Sequence, residues 1–246
     1  MNFYKIAHAV KKPFRSACLW GDHKFYDPQR LKITSELENS YPAIRIEVDK
    51  MMERYDDFVP FQHMSPDQTY ISNDDRWKMF FLKVAGFKFK KNAEQFPVLM
   101  RILEKHKYVV SAYLSVLGPE KALNPHEGPW AGVLRMHMGI IIPDNTKCHI
   151  NIEGDKYYWD EGKVVLFDDT YNHYAVNETD KLRVILFLDI MRPMTWAYNA
   201  FNWFMLKACF LMPYVWVPLW RHRQWSKKFY GGKNEQREID STVKSA

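Results

Sequence analysis

Acidic residues are absent from one long stretch of this 246-residue chain: none lies between Asp189 and Glu235. Arg192, Lys207, Arg221, Arg223, Lys227, Lys228 and Lys233 all fall inside it, so the net charge of +6 is unevenly placed. Cysteine is scarce as well. Cys18, Cys148 and Cys209 are far apart and odd in number, which argues against a disulfide framework or a cysteine zinc site and suits a reducing compartment. The N-terminus has no long apolar core, because Lys5, Lys11, Lys12 and Arg15 interrupt it. A secretory signal is therefore not expected, and the catalytic part is expected in the cytosol. Internal repeats and low-complexity segments are missing too, which leaves one large domain or one domain with an appendage.

What the basic stretch does contain is aromatic rings. Trp196, Tyr198, Phe201, Trp203, Phe204 and Phe210 lie in its first half, and Trp216, Trp220, Trp225, Phe229 and Tyr230 in its second. Cations mixed with rings can grip phosphates and bases. Residues 208–220 carry no charge, however, which a solvated nucleic-acid surface would not want, so no nucleic-acid partner is expected. Trp and Tyr beside Lys and Arg suit the membrane–water interface, where rings sit at headgroup level and cations meet anionic lipid. A spanning helix needs about 20 predominantly apolar residues. Here Asn199, Asn202 and Lys207 interrupt one half, and Pro213 and Pro218 break the other. The expectation is an interfacial or re-entrant tail over 194–246, with 194–233 against an anionic membrane surface. The alternative is a C-terminal subdomain packed on its own core.

Residues 1–35 are basic and aromatic and are expected to form an irregular or short-helical arm. Residues 41–55 read as a helix, 76–84 as a buried strand, and 92–106 as a helix with Phe96, Val98, Leu99, Ile102 and Leu103 at helical spacing. From Tyr108 the pattern changes to short strands at 108–117, 133–142, 163–167, 171–176 and 182–190. A hairpin over 148–159 closes on a glycine-containing turn at 153–155. The fold expected is mainly β with flanking helices: a double-stranded β-helix (a jelly-roll or cupin-like barrel) with its core at 108–193. The N-terminal arm and helices of 1–107 belong outside it, followed by an aromatic, basic helical tail.

Two histidines stand at strand edges, where a barrel mouth offers a pocket. His126 lies in Asn124-Pro125-His126-Glu127-Gly128-Pro129, and His173 follows the apolar run Val164–Phe167 and a short turn. Neutral imidazole suits iron, copper, nickel and zinc alike, so the spacing does not choose the metal. His106, His149 and His222 are read as structural. Arg135 and His137 are two apart and share one face of a strand. Arg183 sits in the apolar run 182–190, and a guanidinium pointing into a barrel must be paired. Its partner is either a protein carboxylate or the carboxylate of a bound small molecule, which an arginine fork grips in bidentate fashion.

Gly-Val-Leu-Arg-Met-His-Met-Gly-Ile at 132–140 and Trp-Asp-Glu-Gly-Lys-Val-Val-Leu-Phe-Asp-Asp-Thr-Tyr-Asn-His at 159–173 resemble the aspartyl/asparaginyl β-hydroxylase family of iron(II)- and 2-oxoglutarate-dependent dioxygenases. The likeness covers roughly residues 76–195. Its continuation through Arg192-Pro193 is more similar to the bacterial lipid A 2-hydroxylase branch than to the animal protein-hydroxylating branch. The resemblance implies iron ligands at His126 and His173, and Arg183 gripping the distal carboxylate of 2-oxoglutarate with help from the Ser115 hydroxyl. It implies Arg135 and His137 at the carboxylate near the keto group, although His137 also reads as a neighbour of the metal site. O2 is the other co-substrate implied.

The chain departs from the family pattern at the third iron ligand. The usual facial triad is two histidines and one carboxylate, and the lipid A branch supplies it in His-x-Asp. Here the motif reads His126-Glu127-Gly128, as in the animal aspartyl hydroxylases, which implies iron held by two histidines and water. Glu127 is adjacent to His126, so in an extended segment it points away from the metal. The function expected is hydroxylation of an unactivated C–H on a fatty-acyl chain of a membrane lipid, of lipid A or aminolipid type, at the cytoplasmic face of the inner membrane. The alternative is a soluble cytoplasmic aspartyl/asparaginyl β-hydroxylase of a protein, peptide or amino acid. A halogenase, with chloride at the place Gly128 leaves open, and a non-catalytic binding module are the remaining readings.

Overall fold

Period-two burial builds two antiparallel sheets that face one another. The computed structural model describes residues 3–64, 68–208 and 220–231, the first three of them by backbone alone. Its strands are β1 (Phe25–Tyr26), β2 (Val59–Pro60), β3 (Trp77–Val84), β4 (Phe87–Lys88), β5 (Val109–Leu117), β6 (Lys121–Ala122), β7 (Val133–Ile141), β8 (Cys148–Ile152), β9 (Asp155–Tyr158), β10 (Val164–Phe167), β11 (His173–Asn177) and β12 (Arg183–Met191). Its helices are α1 (Phe3–Ser16), α2 (Lys32–Asn39), α3 (Tyr41–Met52), α4 (Phe61–Met64), α5 (Lys90–Ala93), α6 (Pro97–Lys105) and α7 (Trp196–Ala208), with a further helix over residues 220–231. The larger sheet runs β1-β10-β7-β12-β5-β3-β2 with β4 beside β3, and the smaller runs β6-β11-β8-β9.

Alternation assigns each strand two jobs. Leu117, Ile185, Phe187, Val165 and Phe167 of the larger sheet meet Cys148, Ile150, Ile152 and Ala175 of the smaller one in a single apolar interior. Their neighbours in sequence, among them Leu114, Leu134, Met136, Leu186 and Leu188, face outward and pack on Ile33, Leu37, Ile44, Val48, Leu99 and Leu103 of α2, α3 and α6. This is the helix-flanked jelly-roll barrel that the strand spacing predicts. The β8–β9 hairpin closes on Glu153 and Gly154 with φ of 46° and 94°, the left-handed pair that a two-residue turn matching strand twist demands.

Of the two forms expected for the arm, irregular or short-helical, its first part takes the helical one: α1 is a 14-residue helix, because Ile6, Ala7, Val10 and Phe14 fall on one face and, with Ala17, pack against Trp130, Met194 and Met205. Two other expectations need correction. The helix expected over 92–106 is two helices, α5 and α6. Pro97 disfavours helical geometry at Phe96 and starts α6 afresh, where the Glu47 carboxylate accepts from the Val98 and Leu99 amides at 2.6 and 3.2 Å. In the tail, residues 209–219 and 232–246 lie outside the described residues, and the re-entrant reading of 208–220 lies there with them. The helix over 220–231 packs back on the barrel. Trp225 and Phe229 reach Phe80, Arg54 stacks 3.5 Å from the Phe229 ring centroid, and His222 lies 4.0 Å from Phe89. No described helix is long and apolar enough to cross a membrane.

Candidate active site

His126, in the segment between β6 and β7, and His173, the first residue of β11, form an isolated antiparallel bridge, with reciprocal backbone hydrogen bonds of 3.0 and 2.9 Å. The bridge sets the two rings side by side at the open end of the barrel, their centroids 4.4 Å apart. The His126 Nδ1 donates to the Asn124 carbonyl at 2.7 Å and the His173 Nδ1 to the Tyr171 carbonyl at 2.9 Å. A carbonyl only accepts, so each ring carries its proton on Nδ1 and presents a bare Nε2 lone pair. Burial lowers both pKa values to about 4 and keeps the rings neutral. Two neutral imidazoles oriented through their Nδ1 protons are what a divalent metal needs.

Deeper in the barrel, inward positions of β5, β7 and β12 carry the polar side chains. Arg183 is 1% exposed, and its Nε and Nη1 have no hydrogen-bond partner. Its guanidinium lies 4.9 Å from the Trp159 ring centroid. Burial draws its pKa down to about 10, and no carboxylate among the described residues acts against that. Both ring nitrogens of His137 and the Trp159 indole nitrogen are likewise buried without partners, and the His137 and Trp159 rings are 5.9 Å apart. Ser115 accepts from the Trp77 indole at 3.0 Å, which leaves its hydroxyl proton to donate elsewhere. Buried polar groups in folded proteins are almost always paired. So many unpaired donors in one interior fit an absent anionic ligand, and the cation without a protein partner fits a carboxylate of it.

Arg135 is differently placed. Its guanidinium pairs with Asp169 at 2.9 Å and Asp189 at 3.0 Å and stacks 4.0 Å from the Phe187 ring centroid. Burial works against its charge, yet the two carboxylates raise its pKa. Asp169 is 1% exposed, and burial with Asp168 and Asp189 nearby lifts its pKa to about 6 against the pull of Arg135. Position 128 explains where Asp169 sits. A Cβ there would overlap the Asp169 carboxylate, and the Gly128 amide donates to the Asp169 carbonyl at 2.7 Å. Thus the space that a ligating side chain at 128 would enter is filled from the neighbouring loop. Glu127 points away and pairs with Lys11 of α1. Among the described residues no three His, Cys, Asp or Glu side chains converge as a metal cluster; the two residues here that could hold a metal are His126 and His173.

Several residues that hold this geometry carry no obvious mark in the sequence. Arg192 is fully buried and bonds Asp168 at 2.7 Å, the Ala131 carbonyl at 2.5 Å and the Val133 carbonyl at 3.4 Å. Asp168 in turn accepts from the Thr170 amide and hydroxyl at 3.0 and 2.7 Å. This pair fastens the loop before His173 to the strand that follows Gly128. Arg192→Met leaves Asp168 charged and unpaired in the interior, which costs about 3–5 kcal/mol. A fall in melting temperature of roughly 10 °C is expected by calorimetry; a fall within a degree or two would mean that water reaches Asp168. By contrast, His106 bonds Glu36 and Tyr108 and His149 packs on Tyr158, away from the centre.

A family model described as aspartyl/asparaginyl β-hydroxylase matches residues 38–193. An ornithine lipid ester-linked acyl 2-hydroxylase of Rhizobium tropici is 38% identical over 85% of this chain and 75% of its own length. The aspartyl/asparaginyl β-hydroxylase of Homo sapiens is 26% identical over 66% of this chain, but only 21% of that longer protein is covered. A solved cupin barrel domain protein from Salinispora arenicola aligns over 55% of this chain and 90% of its own with 12% identity and a TM-score of 0.32. Matched by that family model through both histidine loops and β12, the chain belongs to the aspartyl/asparaginyl β-hydroxylase family.

Proposed function

We propose that this protein is an Fe(II)- and 2-oxoglutarate-dependent dioxygenase that 2-hydroxylates a fatty-acyl chain of a membrane lipid. One observation carries the co-substrate: a fully buried arginine with no carboxylate partner, in the same interior as two neutral histidines with free Nε2 atoms. His126 and His173 hold the metal through Nε2. Arg183 takes the distal carboxylate of 2-oxoglutarate in its fork, and the Ser115 hydroxyl donates to the same group. Arg135 meets Asp169 and Asp189 through Nε and Nη2, which leaves Nη1 for the carboxylate beside the keto group, with His137 next to it. Bound iron with 2-oxoglutarate and O2 supplies the oxidising power that replaces an unactivated C–H by C–OH as the co-substrate leaves as succinate and CO2. The apolar walls of Phe167, Phe187 and Ile152 keep water from that centre.

The acyl-chain substrate is supported by the similarity to the Rhizobium tropici lipid hydroxylase. With it come an aminolipid or lipid A-type substrate and a place at the cytoplasmic face of the inner membrane. Likeness to the mammalian enzyme favours the second reading, an Asp or Asn side chain as substrate. Mass spectrometry of total lipids from cells with and without the gene separates the two. One added oxygen on an acyl chain is expected, and unchanged lipids under good expression would move the substrate to a peptide. Succinate release with ferrous iron and 2-oxoglutarate is expected to vanish in His173→Ala; turnover that survives this change removes His173 from the metal.

A further inference from the structure

α7 follows the barrel directly and buries only a narrow strip of its surface. Asn202 and Met205 are buried, while Trp196 is 84%, Trp203 58% and Phe204 59% exposed. Positions 196, 200, 203, 204 and 207 share one side of a helix, so the bare rings form a stripe that ends at Lys207, whose ammonium lies 5.5 Å from the Trp203 ring centroid. Leu19, just past α1, is 64% exposed as well. Single exposed apolar residues are ordinary, but three large rings on one helical face mark an interaction site.

This face is fastened to the candidate active site. On the buried side of α7, Asn202 donates to the Gly132 carbonyl at 2.7 Å and accepts from the Trp130 indole at 2.8 Å, four to six residues beyond His126. Phe14 of α1 packs edge-on against Trp130, Tyr198 and Phe201 at 5.5–6.0 Å. α1 itself touches both histidine loops: Lys11 pairs with Glu127, and Arg15 pairs with Asp22 while stacking 3.8 Å from the Tyr171 ring centroid. The α1–α7 layer therefore sits beside the mouth formed by the segments around His126 and His173.

We propose that the α1–α7 layer is the membrane-docking surface and that its occupant is an anionic phospholipid bilayer. Trp196, Trp203 and Phe204 enter the headgroup region, with Lys207 and the exposed Lys12 at the phosphates. Charge singles out the bilayer. No acidic residue follows Asp189 until Glu235, and Glu127 and Asp22 at the mouth are already neutralised by Lys11 and Arg15. The proposal rests on the lipid-substrate reading and gives it a geometry: docking by this layer lays the mouth against the lipid surface, beside the segments that carry His126 and His173.

The test is co-sedimentation of the full chain with vesicles of phosphatidylglycerol and phosphatidylethanolamine, and with phosphatidylcholine alone, without iron or 2-oxoglutarate. Binding is expected to the anionic vesicles and to be weaker on phosphatidylcholine. Each large ring carries roughly a tenfold share of partitioning, so Trp196→Ser/Trp203→Ser/Phe204→Ser lowers it on the order of a thousandfold. Lys207→Gln lowers it about fivefold. The altered rings are solvent-exposed, so the melting temperature and its rise with 2-oxoglutarate are expected to stay at parent values. Equal vesicle binding by parent and triple variant would overturn the docking face while leaving the oxygenase reading intact. So would a parent that ignores anionic vesicles, or one that forms a dimer which the triple variant abolishes. Vesicle binding as expected together with unchanged cellular lipids would instead count against the lipid substrate alone.

Discussion

Arg183→Met is expected to raise the stability of the ligand-free protein while abolishing its grip on 2-oxoglutarate. The guanidinium is an uncompensated interior charge, with its pKa drawn down to about 10 by burial. A tenfold loss of proton affinity is about 1.4 kcal/mol, so the charged form costs the folded state roughly 3 kcal/mol. The sign follows from linkage. A base whose folded pKa lies below its unfolded value is protonated in both states at neutral pH, so the whole cost is present there; it is recovered only as pH climbs above about 10 toward the ordinary guanidinium range. Methionine has a similar length and no charge. It removes the cost but forfeits the stacking on Trp159, for a net rise in melting temperature of roughly 5 °C. In the parent, 2-oxoglutarate restores the missing partner and stabilises by mass action. Truncating one member of a buried charge pair costs about 2–5 kcal/mol of binding, so affinity in the variant falls a hundredfold or more. Differential scanning fluorimetry with Mn(II), with and without 2-oxoglutarate, reads both effects. Equal ligand-free midpoints would mean that Arg183 already has an ionic partner, and an undiminished response to 2-oxoglutarate would place the dicarboxylate elsewhere.

The opposed signs of these two effects also bear on what the sequence disclosed. Alternation in Val133–Ile142 and Leu182–Ile190 was enough to place Arg135, His137 and Arg183 on inward faces, because a strand has only two sides. It could not say that Arg183 lacks a protein carboxylate whereas Arg135 has two, since Asp189 and Asp169 reach Arg135 from another strand and a loop. The doublet Asp168-Asp169 is the clearest case. Adjacent in sequence, the two carboxylates turn to different arginines, Arg192 and Arg135, and no periodicity governs a loop. The choice between an irregular and a helical arm stayed open for a related reason: the apolar residues of α1 are sparse among lysines, and the helix is favoured by packing on Trp130 and α7 that sequence spacing alone does not show. The tail misled in part, because Trp225 and Phe229, whose rings resemble an interfacial stretch in the sequence, cover the barrel instead, whereas Trp196, Trp203 and Phe204 of α7 stay bare.

Gly128→Asp restores the carboxylate of the facial triad on paper, and it is expected to fail alone. The space a side chain would enter at 128 holds the Asp169 carboxylate, and the two backbones are joined there by the 2.7 Å bond from the Gly128 amide. A second carboxylate in that space brings overlap and like charge beside one cation, Arg135. A loss of about 3 kcal/mol in stability and no gain in metal affinity are expected. Asp169→Ala alone empties the space but leaves Arg135 with Asp189 only, at a cost of about 1–2 kcal/mol because one carboxylate remains. In the double variant Gly128→Asp/Asp169→Ala the carboxylate has in effect moved from one loop to the other. Arg135 keeps two anionic neighbours, and His126 and His173 acquire a third ligand. The double variant is therefore expected to be less destabilised than the two single changes summed, by about 2 kcal/mol, and to bind Mn(II) more tightly than the parent. Thermal melts of all four proteins and Mn(II) titration by electron paramagnetic resonance close the cycle. Additive melts would show that positions 128 and 169 do not share one space, and that the glycine is fixed by the turn and not by the carboxylate that faces it.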